Sequence, residues 1–291
     1  MKKKILILGS NGMLGHIINL HLRSLNDFFT VTDVARESHF LKPDVQLDVT
    51  NFAELLKLYN RLKPDIIINC VGVLNSKAEN CPANAVLINS YLPHFLEKIT
   101  ETQFCRVIHI STDCVFSGGR GDYSENDFTD ADNYYGRTKS LGEIKNDKDL
   151  TIRTSIIGPE LRTNGIGLFH WFSIQSGVIQ GYSEVFWTGL TTIELSTAIV
   201  HCIQSDVTGL YHIVNDSKIS KYDLLNIFKS VFSKSAVTLI KPCSLYRYDK
   251  SLINTRSDLD YKVPSYQVMI ENMKSWILNY KEIYPQYQSI V

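Results

Sequence analysis

A parallel sheet of short strands with helices on both faces is the fold class that the first half of this chain predicts. Three observations predict it. Short apolar runs alternate with segments of helical periodicity. The apolar runs are unbroken rather than alternating, as in strands buried on both faces. A glycine-rich turn, Gly9-Ser10-Asn11-Gly12-Met13-Leu14-Gly15, joins the first run to the first helical segment.

Residues 4–8 form the first run, and residues 13–25 carry Met13, Leu14, Ile17, Ile18, His21 and Leu22 at helical spacing. Residues 28–33 read as a second strand, 51–62 as a helix, and 65–69 as a short strand buried on both faces. Residues 83–101 predict one long helix, 106–111 a strand, 134–146 a helix and 150–157 a strand. Strands alternating with helices in this way imply right-handed crossovers and parallel pairing. After Ser155 the pattern loosens: Gly158-Pro159 breaks the chain, and residues 164–190 mix glycine with Phe169, Trp171, Phe172, Tyr182, Phe186 and Trp187. A helix near 192–204 and a strand at 210–214 are expected to return to the sheet, with further helices at 221–233 and 264–280. The predicted architecture is α/β: a Rossmann-type doubly wound parallel sheet over residues 1–157, with a smaller, interleaved C-terminal substrate-binding lobe mainly over 158–291. Residues 191–215 are expected to rejoin the sheet domain.

A chain of 291 residues can bury a substantial core. Its thirty basic and thirty acidic residues cancel, which leaves no basic footprint for nucleic acid. The basic start Lys2-Lys3-Lys4 precedes an apolar run that stops at Gly9, too short for a secretory signal. No apolar stretch is long enough to cross a bilayer. A soluble cytoplasmic protein without membrane contact is expected. The six cysteines are scattered, without metal-binding spacing, so reduced and mostly buried thiols are expected and no metal. His170 beside Trp171 reads as packing.

Chemistry concentrates at three places. Tyr135 and Lys139 lie four residues apart, on one face of the predicted helix. A cation there lowers a phenol pKa toward working pH and makes Tyr135 a general acid or base. The glycine turn allows close approach of the backbone to a diphosphate, and the helix it opens presents unpaired N–H groups to one. Its spacing, Gly-x-x-Gly-x-x-Gly, is one residue wider than the usual dinucleotide fingerprint. Asp33, read as ending the second strand, suits the adenosine ribose hydroxyls, whereas Arg36 suits a ribose 2′-phosphate. NADH and NADPH therefore both stay open. Asp48 faces the adenine or simply caps the helix after it. Ser111-Thr112-Asp113 falls at the carboxyl end of a central strand, the edge where ligands bind in open α/β sheets. Trp187 either stacks on a base or fills core.

Together these blocks resemble the extended short-chain dehydrogenase/reductase superfamily, and within it the dTDP-4-dehydrorhamnose reductase family. The resemblance is carried by the glycine turn, Leu47-Asp48-Val49-Thr50, Pro64-Asp65-Ile66-Ile67-Ile68-Asn69-Cys70, Ser111-Thr112-Asp113-Cys114-Val115-Phe116-Ser117-Gly118, Asn133-Tyr134-Tyr135-Gly136-Arg137-Thr138-Lys139 and Ile152-Arg153-Thr154-Ser155. It implies Thr112, Tyr135 and Lys139 as the catalytic trio. It implies dinucleotide contacts at Gly9, Asn11, Gly12, Met13, Leu14, Gly15, Asp33, Arg36, Asp48, Val49, Cys70, Val71 and Gly72, besides Tyr135 and Lys139. Asp113 and Trp187 are further candidates near the substrate, although the segment 181–190 that carries Trp187 differs from the family pattern. Tyr134, out of register with Lys139, reads as packing. Two departures lie near the expected sugar site: Cys114 stands where the family has tyrosine, and Ile156 where it tends to have tryptophan.

The implied reaction is NAD(P)H-dependent reduction of the 4-keto group of a nucleotide-activated 6-deoxyhexose, bound between the lobes, in making a deoxysugar for surface polysaccharide. A sugar-nucleotide 4-epimerase of the same superfamily is the first alternative. A non-catalytic subunit resembling the regulatory subunit of methionine adenosyltransferase is the second. A homodimer is compatible with each.

Overall fold

The apolar runs of the first half assemble into one sheet. The structure, a computed structural model, describes residues 2–38 and 41–291. In chain order it contains β1 (Lys3–Leu8), α1 (Gly15–Ser24), β2 (Phe29–Ala35), β3 (Val45–Gln46), α2 (Phe52–Leu62), β4 (Ile66–Asn69), α3 (Asn75–Asn80) and α4 (Pro82–Ala85). A π turn at Val86–Tyr91 leads into α5 (Leu92–Thr100), followed by β5 (Arg106–Ile110), α6 (Tyr134–Leu141) and β6 (Leu150–Arg153). Then come β7 (Ile156–Ile157), α7 (Leu168–Ser173), β8 (Gly177–Trp187), β9 (Leu190–Thr191), α8 (Thr192–Gln204) and β10 (Gly209–His212). The chain ends with β11 (Ile219–Ser220), α9 (Lys221–Val231), β12 (Val237–Asp249) and α10 (Tyr266–Asn279).

The described residues divide into two units. The first comprises Met1–Ser117, Asn126–Arg153 and Cys202–Tyr211. Its seven-stranded sheet has the order β10-β6-β5-β4-β1-β2-β3, and the pairs from β6 to β3 are parallel. This is the doubly wound order, whose direction reverses between β1 and β4. Leu6, Leu8, Val34, Ile67 and Val107 pack with Leu55, Leu58, Leu92 and Leu96 to form a core on one face. The crossover predicted as one helix over 83–101 is α4, the π turn and α5 in succession, and α3 precedes them. The predicted helix 134–146 stops at Leu141, because Gly142 lies so close to Asn89 that a Cβ would fall 1.9 Å from its carbonyl oxygen.

The second unit comprises Gly118–Glu125, Thr154–His201 and His212–Val291. Its main sheet has the order β11-β8-β12, with β8 and β12 parallel. The division departs from the sequence expectation at both joins. Residues 118–125 belong to the second unit, where Tyr123 bridges Leu252. Most of α8 also stays there, and only residues 202–211 rejoin the first. The predicted strand 150–157 is two strands in two sheets, β6 and β7, divided at Thr154-Ser155. Trp187 is buried, with its ring 5.7 Å from that of Tyr266 and the Lys221 amine 4.9 Å above it, so it fills core and offers no open face for stacking. His170 packs on Tyr287, its Nδ1 3.1 Å from the phenol oxygen. All six cysteines are free, but only Cys105 and Cys202 are fully buried and Cys81 is exposed. The expectation of mostly buried thiols is thus corrected. Among the described residues no helix is long and apolar enough to cross a membrane, and no three His, Cys, Asp or Glu side chains gather to hold a metal ion.

In the first unit the Glu143 carboxylate accepts from Arg153 Nε and Nη2 at 2.6 and 2.7 Å and from Ser111 Oγ at 2.8 Å, with all three residues buried. Glu143→Ala strips the guanidinium of its carboxylate and should cost about 3–5 kcal/mol, because a charge then stays buried without its counter-charge. The urea midpoint measures this, and Glu143→Leu combined with Arg153→Met should recover most of the loss.

Candidate active site

The glycine turn lies at the switch point of the sheet. Gly9 leaves β1 with φ +85°, a conformation open to glycine at little cost. Its amide and that of Ser10 donate to the Val34 carbonyl at 2.9 and 3.1 Å, which fixes the turn to β2. A Cβ on Gly9 would come within 3.0 Å of Val71, and one on Gly15 within 2.1 Å of the Gly9 carbonyl oxygen. The loop Cys70-Val71-Gly72 therefore abuts the turn, and α1 starts against it with no room for a side chain. Gly12 meets only the Gly9 oxygen, at 3.2 Å, and is otherwise open. Met13 is half-buried and Leu14 buried. His16 is buried beneath the turn and donates Nδ1–H to the Gly12 carbonyl at 2.8 Å; burial pulls its pKa down to about 4, so it stays neutral there.

A dinucleotide fits these residues. Ser10 Oγ and Asn11 Oδ1 are buried polar atoms with no hydrogen-bond partner, at the start of a helix with no acidic residue in its first turn. Such orphaned groups beside free helix N–H groups suit a diphosphate and the sugar attached to it. Asn11 Nδ2 in turn donates to the Glu37 and Leu41 carbonyls at 2.7 and 3.1 Å, linking the turn to the segment after β2.

That segment departs from the sequence reading. Strand β2 runs two residues past Asp33, because Val34 and Ala35 pair with β3. Asp33 is buried, and its Oδ1 accepts from Arg23 of α1 at 2.8 Å and from the Asp44 amide at 3.2 Å. Its carboxylate is committed inside the unit. Arg36 is the residue at the strand's carboxyl edge, and its side chain is 65% exposed. Asp48 is exposed and accepts from the Thr50 amide and hydroxyl at 3.0 and 2.7 Å, bonds that together with nearby Arg36 lower its pKa. It does not cap α2: Asn51 does, accepting from the Glu54 amide at 3.3 Å. Val49 beside it is buried in the core.

The catalytic candidates come together at the carboxyl edge of β5. Thr112 is extended as the strand ends, and its hydroxyl accepts from the Cys114 amide and donates to Asp113 Oδ1, both at 3.1 Å. Helix α6 opposes this turn. Asn133 caps it, accepting from the Gly136 amide at 2.8 Å, and a Cβ on Gly136 would fall 2.1 Å from the Cys114 carbonyl oxygen. Only glycine permits this approach, and it sets the start of α6, with Tyr135, against the Thr112–Cys114 turn. The Tyr135 side chain packs against the buried cluster of Val73, Ala78 and Ala85, in the β4–α5 crossover. Tyr134, expected to pack, is instead 48% exposed, since the helix turns it outward.

Lys139 is on the same helix but is drawn to the sheet. Its Nζ donates to the Ile110 carbonyl at 2.6 Å and lies 3.2 Å from His109 Nε2. Burial pulls this amine down to about 8, against the opposing charges of Glu143 and the Cys70 thiol. Burial likewise holds the Tyr135 phenol above its ordinary range, reinforced by Cys114 and Asp113 and opposed by the nearby Thr112 hydroxyl. The expected lowering of the phenol by Lys139 is thus not found in this structure, because the amine's partners lie on β5.

Sequence reasoning missed four contributors. Asn89, in the π turn, binds Val73 through both backbone groups at 2.8 and 2.9 Å and donates to Thr138 at 3.1 Å, tying the Cys70–Val73 loop to α6. π turns often mark functional positions. His16, His109 and Glu143 are the others. The one available signal was a polar side chain inside an apolar run: Asn89 after Val86-Leu87-Ile88, and His109 within Val107-Ile108-His109-Ile110.

A Rossmann sheet with a glycine turn at its switch point, and Thr, Tyr and Lys beside the end of β5, defines the extended short-chain dehydrogenase/reductase class. A family model described as the RmlD substrate binding domain matches residues 2–287, and the chain belongs to that family. It is 26% identical over 231 residues to a dTDP-4-keto-6-deoxy-D-glucose reductase of Streptomyces niveus, covering 77% of each chain. It is 26% identical to the dTDP-4-dehydrorhamnose reductase of Escherichia coli over 294 residues, covering 92% of this chain and 96% of that one. Among solved structures it resembles the dTDP-4-dehydrorhamnose reductase of Bacillus anthracis in complex with NADP, with a TM-score of 0.81, 21% identity, and coverage of 95% of this chain and 100% of that one.

The lowered Lys139 pKa makes stability depend on pH in a defined direction. Between about pH 8 and 10 the unfolded chain keeps a proton on Lys139 that the folded chain has released, so stability rises with pH. Above about pH 10 an unfolded Tyr135 ionises while the folded phenol does not, and stability falls. The difference in urea midpoint between wild type and Lys139→Met should therefore move in favour of wild type as the pH is raised from about 8 to 10.

Proposed function

We propose that the chain is an NAD(P)H-dependent reductase of the 4-keto group of a nucleotide-activated 6-deoxyhexose, acting in the cytoplasm to supply a deoxysugar for surface polysaccharide. The convergence of Thr112 and Tyr135 at the carboxyl edge of β5, with Lys139 one helical turn on, is the observation that carries this reading. Membership of the RmlD family and the reductase activities for which its relatives are named support it.

A bound reduced nicotinamide supplies the hydride. The chain's own residues supply position and a proton. Thr112 Oγ, anchored by the Cys114 amide, orients the substrate oxygen. Tyr135 gives its hydroxyl proton to the alkoxide that develops there. Its raised pKa keeps that proton in place at neutral pH until the alkoxide, a stronger base, takes it. Lys139 as an ammonium then stabilises the phenolate that the transfer leaves behind. Gly9, Asn11, Gly12, Met13 and Leu14 seat the diphosphate, with Cys70, Val71 and Gly72 closing the other side of the turn. Asp48 lines the adenine end, supported from the core by Val49, and the exposed Arg36 after β2 takes a 2′-phosphate, which favours NADPH.

Cofactor oxidation with a panel of dTDP- and UDP-linked 4-keto-6-deoxyhexoses tests the reading. Protein that retains NAD through purification and interconverts 4-epimers would replace it with the epimerase. Tyr135→Phe should lower kcat by at least about 100-fold, the usual scale of lost acid catalysis, while NADPH affinity by fluorescence titration stays within about twofold. Arg36→Ala should weaken NADPH by roughly tenfold, a lost charge-assisted bond, and leave NADH nearly unchanged.

A further inference from the structure

Behind the amine of Lys139 lies a pair of buried polar side chains that the proposed reaction does not use. Asn69 and His109 are register partners on β4 and β5, and both are fully buried. Asn69 Oδ1 accepts from the Val71 amide at 3.2 Å, which turns Nδ2 of the same carboxamide toward His109 Nδ1 at 3.1 Å. The amide group donates, so Nδ1 accepts, and a neutral imidazole then carries its proton on Nε2. Nε2 is the nitrogen 3.2 Å from Lys139 Nζ. An ammonium has three donors and no acceptor, whereas a neutral amine accepts one hydrogen bond. The amine also donates to Ile110 at 2.6 Å, so its position is fixed from two sides.

The electrostatics agree with this geometry. Burial, with the charges of Lys139 and His94, holds His109 far below the ordinary histidine range. The groups facing the Lys139 amine are His109 from β5, Cys70 after β4 and Glu143 beyond α6; burial outweighs the attraction of Glu143.

We propose that His109 is a positioning residue: its Nε2–H donates to the unprotonated amine of Lys139 and parks it against the Ile110 carbonyl. When the amine takes a proton from solvent, the imidazole N–H faces a cation with no lone pair, and Lys139 is released toward Tyr135 and the dinucleotide. The parking contact stands on geometry alone; its catalytic consequence rests on the roles proposed above for Tyr135 and Lys139.

The contact is tested on the full, unliganded chain by ¹⁵N-histidine NMR, with the His109 signals identified by their loss in His109→Gln. Between roughly pH 6 and 10 the ring should remain the neutral Nε2–H tautomer, with one titration step that disappears in Lys139→Met. An Nδ1–H tautomer, or a step that survives Lys139→Met, overturns the proposal. The consequence is read from the pH profile of kcat/KM. His109→Leu should move the alkaline limb upward by roughly half a unit or more, since the parked amine loses its donor, and His109→Gln, which keeps a donor, should move it less. A limb that stays in place or moves down, with NADPH affinity retained, also overturns it. Should wild type reduce no keto-sugar at all, the proposed function fails while the NMR result still decides the contact.

Discussion

The buried carboxylate of Glu143 is the point on which the first unit's chemistry depends. It receives Arg153 from the end of β6 and Ser111 from the end of β5, and it follows directly on the end of α6. Three elements are thereby fixed at one level of the sheet. Thr112, next to Ser111, and Lys139, four residues before Glu143, take their places from it. A charge buried this deeply is tolerated because its oxygens are filled by a bidentate guanidinium and a hydroxyl. The pair thus adds specificity of register more than net stability.

Close backbone contacts do the rest. At Gly15 and Gly136 a helix begins against a loop at distances that exclude a β-carbon, and each contact brings helix and strand ends together. The first fixes the glycine turn against β1, and the second fixes the start of α6 against the Thr112–Cys114 turn. Between them Asn89 fastens the Cys70–Val73 loop to α6, so that loop and the helix carrying Tyr135 and Lys139 share one hydrogen-bonded support.

Much of this was legible in the sequence, and the reasons differ by element. The central strands were readable because β4 and β5 are buried on both faces and must be apolar. The Tyr-Gly-Arg-Thr-Lys block was readable as a helix because Asn133 caps it and its residues fall in helical register. Strand β12 was not: it is an edge strand, mostly exposed, with Pro242 inside it, and an edge tolerates a proline that a central strand would not. The extension of β2 beyond Asp33 came from pairing with β3, a two-residue strand with no signal of its own. The direction of the Lys139 amine was hidden too, since its partners are about thirty residues away in sequence and adjacent only in the fold.

The last strand of the large sheet is supplied late. Strand β10 covers the outer edge of β6, yet it lies more than fifty residues further along the chain, after a passage through the other unit. A nascent chain that has emerged only as far as β6 therefore presents open backbone N–H and C=O groups along that strand, a template for pairing with another chain. Completion of the nucleotide-binding half must wait for much of its neighbour to be synthesised, and the two halves are bound together in biogenesis by the path of the backbone alone.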